Sequence, residues 1–276
     1  MGNLAGIKRY IPNSMKLSLR KLYSSMGDLV VNACRKIGIA VNAYRPDYHY
    51  CPQIYGKSHH KLVDLREINV FGELATKVLN HGRTCLYYDR LFFLYQAICS
   101  VRSISVEAPN MAEVGVYQGG GTYFMASVTD RLYSEKPEIH SFDTFEGHPE
   151  DISPDVDGPH CSGAFADTSL ESVRDYLSGF DNVALYKGRF QDRCSEISGK
   201  SFSFVHIDTD IYSATRFCLD FFADLIARGG IVLVDDYGFT TCKGVMKAVD
   251  AFTSNNQDFM RFHLETGQCL LIRTRQ

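Results

Sequence analysis

The sequence predicts an α/β fold: a mainly parallel sheet closed by an antiparallel hairpin and preceded by a helical extension. Three observations carry this. Five short apolar runs alternate with segments of helical spacing between Asn110 and Asn255, the pattern of βαβ units. Three of those runs stop at aspartate, as strands do when their C-terminal ends form a ligand-binding edge. After the last helical segment, "FMRFHLETGQCLLIRT" (259–274) reads as strand, Thr-Gly turn, strand, so the sheet ends antiparallel.

The chain has 276 residues, enough for one large domain plus an extension, and 45% are hydrophobic, enough for a sizeable core. A net charge of −3 gives no general attraction to nucleic acid. The nine cysteines are scattered and form no CxxC pair, which argues against a disulfide framework or a zinc site and favours a reducing, cytoplasmic setting. No apolar run has the length of a transmembrane helix.

Residues 1–80 are read as a basic helical extension and linker, and 81–276 as the main domain. Within 1–46, eight Lys and Arg face one acid, Asp28. Leu19, Leu22, Tyr23, Met26, Val30, Ala33 and Ile37 recur there at helical spacing. Such a basic amphipathic helix suits peripheral contact with an anionic membrane, or packing on its own domain or on a second subunit. The Tyr-, Pro- and His-rich tract 44–60 reads as a linker. Helices are expected over 64–80 and 88–103. The strands follow at 111–116, 138–143, 182–188, 202–208 and 230–236, with helices over 169–179, 211–228 and 242–254.

The first strand runs into "EVGVYQGGGTYFM" (113–125). Its glycines allow a tight turn and a close backbone approach at a helix N-terminus. The spacing is not the dinucleotide pattern G-x-G-x-x-G, and Glu113 at the strand end would repel a pyrophosphate. An acid there suits a ligand with positive charge, such as the sulfonium and amino groups of S-adenosylmethionine; a purely structural turn is the alternative. Asp143 closes the second strand, where an acid accepts from ribose hydroxyls. Phe190 is placed to pack on an adenine or in the core, and Gln191 or Asp192 to reach the adenine amino group.

Asp208 ends the fourth strand, and Asp235 and Asp236 end the fifth. Parallel strands bring these ends to one rim, where three hard oxygen donors suit Mg²⁺. Helix capping is the alternative for Asp210 and Asp236, but it leaves the doublet and Asp208 unexplained. His206 precedes Asp208 by two and shares its side of the pleat, as a support for the site or as a core histidine.

Taken together, "EVGVYQGGG", "SFDTFEGHPED", "HIDTDIYSAT" and "IVLVDDYGFTTCKGVMKAVDAF" resemble the macrocin O-methyltransferase family, over roughly residues 82–273. "TCLYYDRLFFLYQAI" (84–98) is similar to the family's lead-in helix. The resemblance implies a class I methyltransferase, Rossmann-like sheet of seven strands with the last antiparallel. It also implies dependence on S-adenosylmethionine and Mg²⁺, methylation of a sugar hydroxyl on a natural product or polysaccharide, and a homodimer. The implied cofactor contacts are Glu113, Gly115 and Asp143, and Tyr117, Gly119 and Gly120 of the same glycine loop are expected beside them. The implied metal ligands are Asp208, Asp235 and Asp236, with Asp208 acting in catalysis through the ion. A histidine in the loop after the second strand is the implied general base. That loop offers His148 and His160, of which His160 is favoured because it lies deeper in the acid- and Gly-rich stretch. A catechol-type metal-dependent O-methyltransferase and a non-catalytic scaffold of the same fold are the rival readings.

Overall fold

A computed structural model describes residues 65–150 and 152–275. The expectations for residues 1–64, the basic helix and the Tyr-, Pro- and His-rich tract, lie outside the described residues. The described residues belong to one compact unit, Leu62–Gln276.

The elements follow the predicted order. Two helices come first, α1 (Asn69–His81) and α2 (Tyr88–Ser100). Then come β1 (Asn110–Val114), α3 (Gly120–Leu132), β2 (Glu138–Asp143), α4 (Leu170–Leu177), β3 (Val183–Lys187) and β4 (Phe202–Ile207). The chain closes with α5 (Tyr212–Phe222), β5 (Ile226–Val234), α6 (Lys243–Asn255), β6 (Phe259–His263) and β7 (Cys269–Arg273). The seven strands form one sheet in the order β3-β2-β1-β4-β5-β7-β6. Strands β1 to β5 pair in parallel, whereas β7 runs antiparallel to both β5 and β6. The seven-stranded sheet with an antiparallel last strand is the one anticipated. Strand order reverses between β1 and β4, and the crevice at their C-terminal ends is where open α/β sheets bind ligands.

Period-two alternation splits the core between the sheet's two faces. Ala112, Val114, Val205, Ile207, Val232 and Val234 join one cluster with Phe222 of α5 and Phe252 of α6. Met111, Phe204, Ile231 and Leu233 point the other way, into a cluster with Phe71 of α1, Leu91 of α2 and Phe124 of α3. Phe71 meets Phe124 edge to face at 6.2 Å, so α1 shares the sheet's core.

Two boundaries differ from the sequence reading. The helix expected to run to 228 stops at Phe222, and β5 begins at Ile226. Within β5, Arg228-Gly229-Gly230 forms a bulge: Gly229 has φ +79, and the β4–β5 register shifts between Ile226 and Ile231. The helix expected to run to 103 ends at Ser100 in a series of turns.

Candidate active site

A cavity of about 400 Å³ opens where β1, β2 and β4 end. At one side lie Gly115, Tyr117, Gly120, Gly121 and Asp143. Phe190 and Gln191 line its floor, and Asp208, Asp210 and Asp236 the far side. His148, His160 and Phe165, from the loop between β2 and α4, border the same cavity. The expected cofactor and metal regions therefore face one space.

The turn after β1 is forced by its neighbours. Gly115 has φ +99, and a Cβ there would lie 1.8 Å from the Asp208 carbonyl oxygen, so only glycine lets the ends of β1 and β4 come this close. A Cβ on Gly121 would strike the Glu113 carboxylate at 2.1 Å. Packing within the chain accounts for these two glycines before any ligand is considered. Tyr117 sits at φ 50, and its backbone N–H donates to Asp143 Oδ2 at 2.8 Å. The Phe145 N–H donates to Asp143 Oδ1 at 2.7 Å. Each Asp143 oxygen thus holds one backbone donor and keeps acceptor capacity toward the cavity. Burial raises the Asp143 pKa, and these backbone donors oppose the rise.

Glu113 differs from expectation. It is 2% exposed, and both oxygens are engaged, Oε2 by the Thr122 hydroxyl and Oε1 by His206 Nδ1 at 3.0 Å. It contributes a negative charge beneath the cavity and is not an open acceptor. The sheet register explains the pairing. Glu113 lies directly opposite His206, and His206 opposite Leu233, two residues before Asp235. The three polar residues therefore share one face of three adjacent strands. His206 Nε2 meets Asp235 Oδ2 at 3.3 Å. Burial alone would push the His206 imidazole down, but hydrogen bonds to Asp235 and Glu113 and their charges outweigh it and hold its pKa at about 10. A fully buried imidazolium thus links two buried carboxylates.

Arg90 of α2 continues this row. Its Nη1 donates to Asp235 Oδ1 at 2.8 Å and to Asp236 Oδ1 at 3.2 Å, while Nη2 donates to the Cys85 carbonyl at 2.9 Å. The guanidinium thus bridges two of the three expected metal ligands, Asp235 and Asp236. Asp235 Oδ1 also accepts from the Asp236 N–H, and Oδ2 also accepts from Gln268 Nε2 at 3.4 Å, so its acceptor positions are filled. In this arrangement Asp235 anchors Arg90 and His206. Burial would raise its pKa, but His206 and Arg90 together lower it.

Of the remaining acids, Asp236 shares Arg90 with Asp235, and Asp208 and Asp210 have no arginine or lysine partner among the described residues. Asp208, Asp210 and Asp236 are half-buried, and the pKa of each is raised, first by burial and then by neighbouring carboxylates. Five carboxylates, Glu113, Asp208, Asp210, Asp235 and Asp236, thus share two cations, His206 and Arg90, and negative charge is in surplus. The donor set is hard oxygen with surplus negative charge, and it fits a divalent cation at Asp208 and Asp236. Asp210 at φ 59 and Asp236 at φ 61 occupy the left-handed region, as do Tyr117 and Phe165 (φ 62). Such strain gathers at functional sites. Neither acid caps a helix: Ile211 occupies the N-cap of α5, and the Tyr212 N–H is taken by Asp157 Oδ1 at 2.7 Å.

Other expected residues separate. Phe190 is 4% exposed and sits among Phe142, Phe217, Phe221 and Phe222, so it is a core residue with one edge on the cavity. Gln191 lines the cavity, half-buried. Asp192 is exposed and is not among the lining residues, because the one-turn helix Phe190–Arg193 carries it past the rim. Gly119, at φ +91, sets the start of α3 without lining the cavity. His148 and His160 both reach it, with ring centres 5.3 Å apart. Burial and the neighbouring His160 push the His148 pKa down to about 4, so it is neutral at pH 7. Arg90 and Asp157 were missed in the sequence. Arg90 reads as one charge on an amphipathic helix, and Asp157 as one of several acids in a polar loop.

Comparison with known proteins follows the same lines. Residues 73–261 match the family described as Macrocin-O-methyltransferase (TylF). The chain belongs to the macrocin O-methyltransferase family. A curated relative from Streptomyces olivaceus, 8-demethyl-8-(2,3-dimethoxy-alpha-L-rhamnosyl)-tetracenomycin-C 4'-O-methyltransferase, is 27% identical over 144 residues, 49% of this chain and 55% of the relative. The match thus spans about half of that protein's length. Among solved structures, the O-methyltransferase NovP superposes with a TM-score of 0.59 at 22% identity, over 70% of this chain and 83% of that one. The calicheamicin methyltransferase CalS11 gives 0.52 at 17% identity, over 78% and 99%. At these identities the likeness is one of fold. Among the described residues, no helix is long and apolar enough to cross a membrane.

Proposed function

We propose that this chain transfers a methyl group from S-adenosylmethionine to a sugar hydroxyl, assisted by Mg²⁺. One observation carries the reading: a single cavity joins the Gly115–Asp143 end to the carboxylates Asp208 and Asp236 in a member of this family. The two functions a methyl transfer needs, a nucleoside cradle and an activator for a hydroxyl, are then within one bound substrate's reach.

The chain's own residues supply position and charge. Asp143, fixed by the Tyr117 and Phe145 N–H groups, accepts from the ribose hydroxyls. Gly115 and Gly120 open the turn for the methionine part, and the buried Glu113 charge favours its cationic groups. Phe190 and Gln191 border the adenine. S-adenosylmethionine supplies an electrophilic methyl group on its sulfonium. Asp208 and Asp236 would hold the cation, with Asp235 and Arg90 fixing Asp236 from behind. When bound there, Mg²⁺ would supply a positive charge that makes a neighbouring hydroxyl more acidic. His160, at the cavity wall, takes the proton released as oxygen attacks carbon. Much of the acceleration comes from holding the two reactants in line.

The test is transfer of labelled methyl from S-adenosylmethionine to a panel of rhamnosides and other glycosides, run beside catechols, with Mg²⁺ present. Methylated glycoside is expected. Product from catechols alone would replace the acceptor class, and no product from any acceptor together with no cofactor binding would reject the enzyme reading. We further propose cytoplasmic action, a homodimer, and a membrane or partner contact for the basic residues 1–46, testable by sedimentation and by liposome pelleting.

A further inference from the structure

We propose that His148, His160, Asp210 and Cys242 form a second cation site, of a softer kind, that takes a Zn²⁺-class ion and clamps the loop after β2 against the body of the domain. The four residues come from three places. His148 and His160 lie on that loop, Asp210 follows β4, and Cys242 immediately precedes α6. One ligand atom each from His148, His160 and Asp210 lies within 4.8 Å of the others, and Cys242 stands in the same relation to Asp210 and Asp236.

Two of the separations have about the size of tetrahedral edges, and the third is longer and runs to the other oxygen of Asp210. With zinc–nitrogen and zinc–oxygen bonds of about 2.1 Å and a zinc–sulfur bond of about 2.3 Å, ligand atoms of a tetrahedral site lie roughly 3.4 to 3.6 Å apart. His160 Nε2 lies 3.3 Å from Cys242 Sγ, His148 Nε2 lies 3.4 Å from Asp210 Oδ2, and Cys242 Sγ lies 3.9 Å from Asp210 Oδ1. A second observation points to a missing ligand. The His148 side chain is 10% exposed, and its Nε2 is buried without a hydrogen-bond partner although Asp210 is close. A buried imidazole nitrogen left unpaired is costly, and an ion between it and Asp210 would satisfy both.

Two imidazoles, a thiolate and one carboxylate select a borderline ion and disfavour Mg²⁺, so this site is chemically distinct from Asp208 and Asp236. The loop is already tied down near the cluster, because Asp157 accepts from the Tyr212 N–H at 2.7 Å and the Ser153 N–H at 3.2 Å. A bound ion would add a joint between this loop and the start of α6. It would also engage the nitrogen of His160 that the proposed proton transfer needs, so the zinc-loaded state is an inhibited one. That last consequence rests on the proposed methyl transfer; the site itself does not.

The test uses the full chain and Co²⁺ as a spectroscopic probe, with Mg²⁺ in excess to saturate hard-oxygen sites. One equivalent of Co²⁺ is expected to give intense visible bands of tetrahedral cobalt and a near-ultraviolet thiolate charge-transfer band, both bleached by Zn²⁺. Cys242→Ser, shown folded by circular dichroism, should lose the thiolate band. His148→Ala should weaken Zn²⁺ binding by more than the roughly 10- to 100-fold that loss of an outer-shell partner costs. Hydrogen exchange should slow in residues 148–165 when Zn²⁺ is added to the wild type. Octahedral, weakly absorbing Co²⁺, or a spectrum unchanged by Cys242→Ser, would overturn the proposal whether or not methyl transfer is found.

Discussion

The cavity has two walls built in opposite ways. One is the strand-borne row Glu113–His206–Asp235, continued by Arg90, in which every charge meets an opposite charge and nearly every polar atom is hydrogen-bonded. The other is loop-borne: Phe165 and Asp210 sit at positive φ, His148 Nε2 has no hydrogen-bond partner, and Asp210 faces the like charge of Asp236. The first wall is a fixed frame. The second holds unspent electrostatic and conformational energy, as expected where a ligand completes the arrangement. Asp208 and Asp236 lie at the seam.

Perturbing the seam should have the largest effect. Asp208→Asn is expected to lower methyl transfer by about a thousandfold, the scale of several kcal/mol of transition-state stabilisation, with cofactor affinity nearly unchanged. Steady-state kinetics beside calorimetric titration of the cofactor would measure both. Asp235→Asn should behave differently, because it removes the counter-charge of two buried cations. Breaking such a pair costs about 3 to 5 kcal/mol, so its urea midpoint should fall far more than that of Asp236→Asn. Equal midpoints for the two variants would contradict the division between frame and seam.

Much of the frame was legible in the sequence. Apolar runs ending at Asp208 and Asp235 identified strands and their order of function, and the hairpin at 259–274 identified the closing antiparallel strand. The acids at strand ends needed only period two and a parallel sheet to be brought together. Arg90 was not legible, because its partners lie 145 and 146 residues away and only the docking of α2 on the sheet brings them together. The same holds for Asp157, whose role as the receiver of the α5 N-terminus depends on where a loop folds back. Glu113 was located correctly on its strand, but its engagement by Thr122 and His206 follows from tertiary register. Asp192 failed for a local reason, a single helical turn that rotates it outward.

A pH series sharpens the contrast away from the site. His140 of β2 is buried and bonded to Tyr186 and Asn110, and burial lowers its pKa from 6.5 to about 4 against the opposing pull of Glu138. Its folded form resists protonation, so its contribution is present above pH 6.5 and is lost as pH falls toward 4. The loss should amount to roughly 3 kcal/mol across that window. Urea titrations at several pH values would read it, and His140→Gln should flatten the slope. The smallest effect is expected at the loop anchor. Asp157→Ala removes a helix-cap interaction worth about 1 kcal/mol and should raise the acceptor KM more than it lowers kcat.

The most direct measurement follows labelled methyl transfer to a glycoside acceptor in wild-type protein before chelation, after chelation and after Mg²⁺ is restored, with cofactor binding measured in each state. The account predicts that transfer disappears with chelator and returns with Mg²⁺, while cofactor affinity stays within a factor of about two. Undiminished transfer in chelator would contradict a catalytic cation at Asp208 and Asp236.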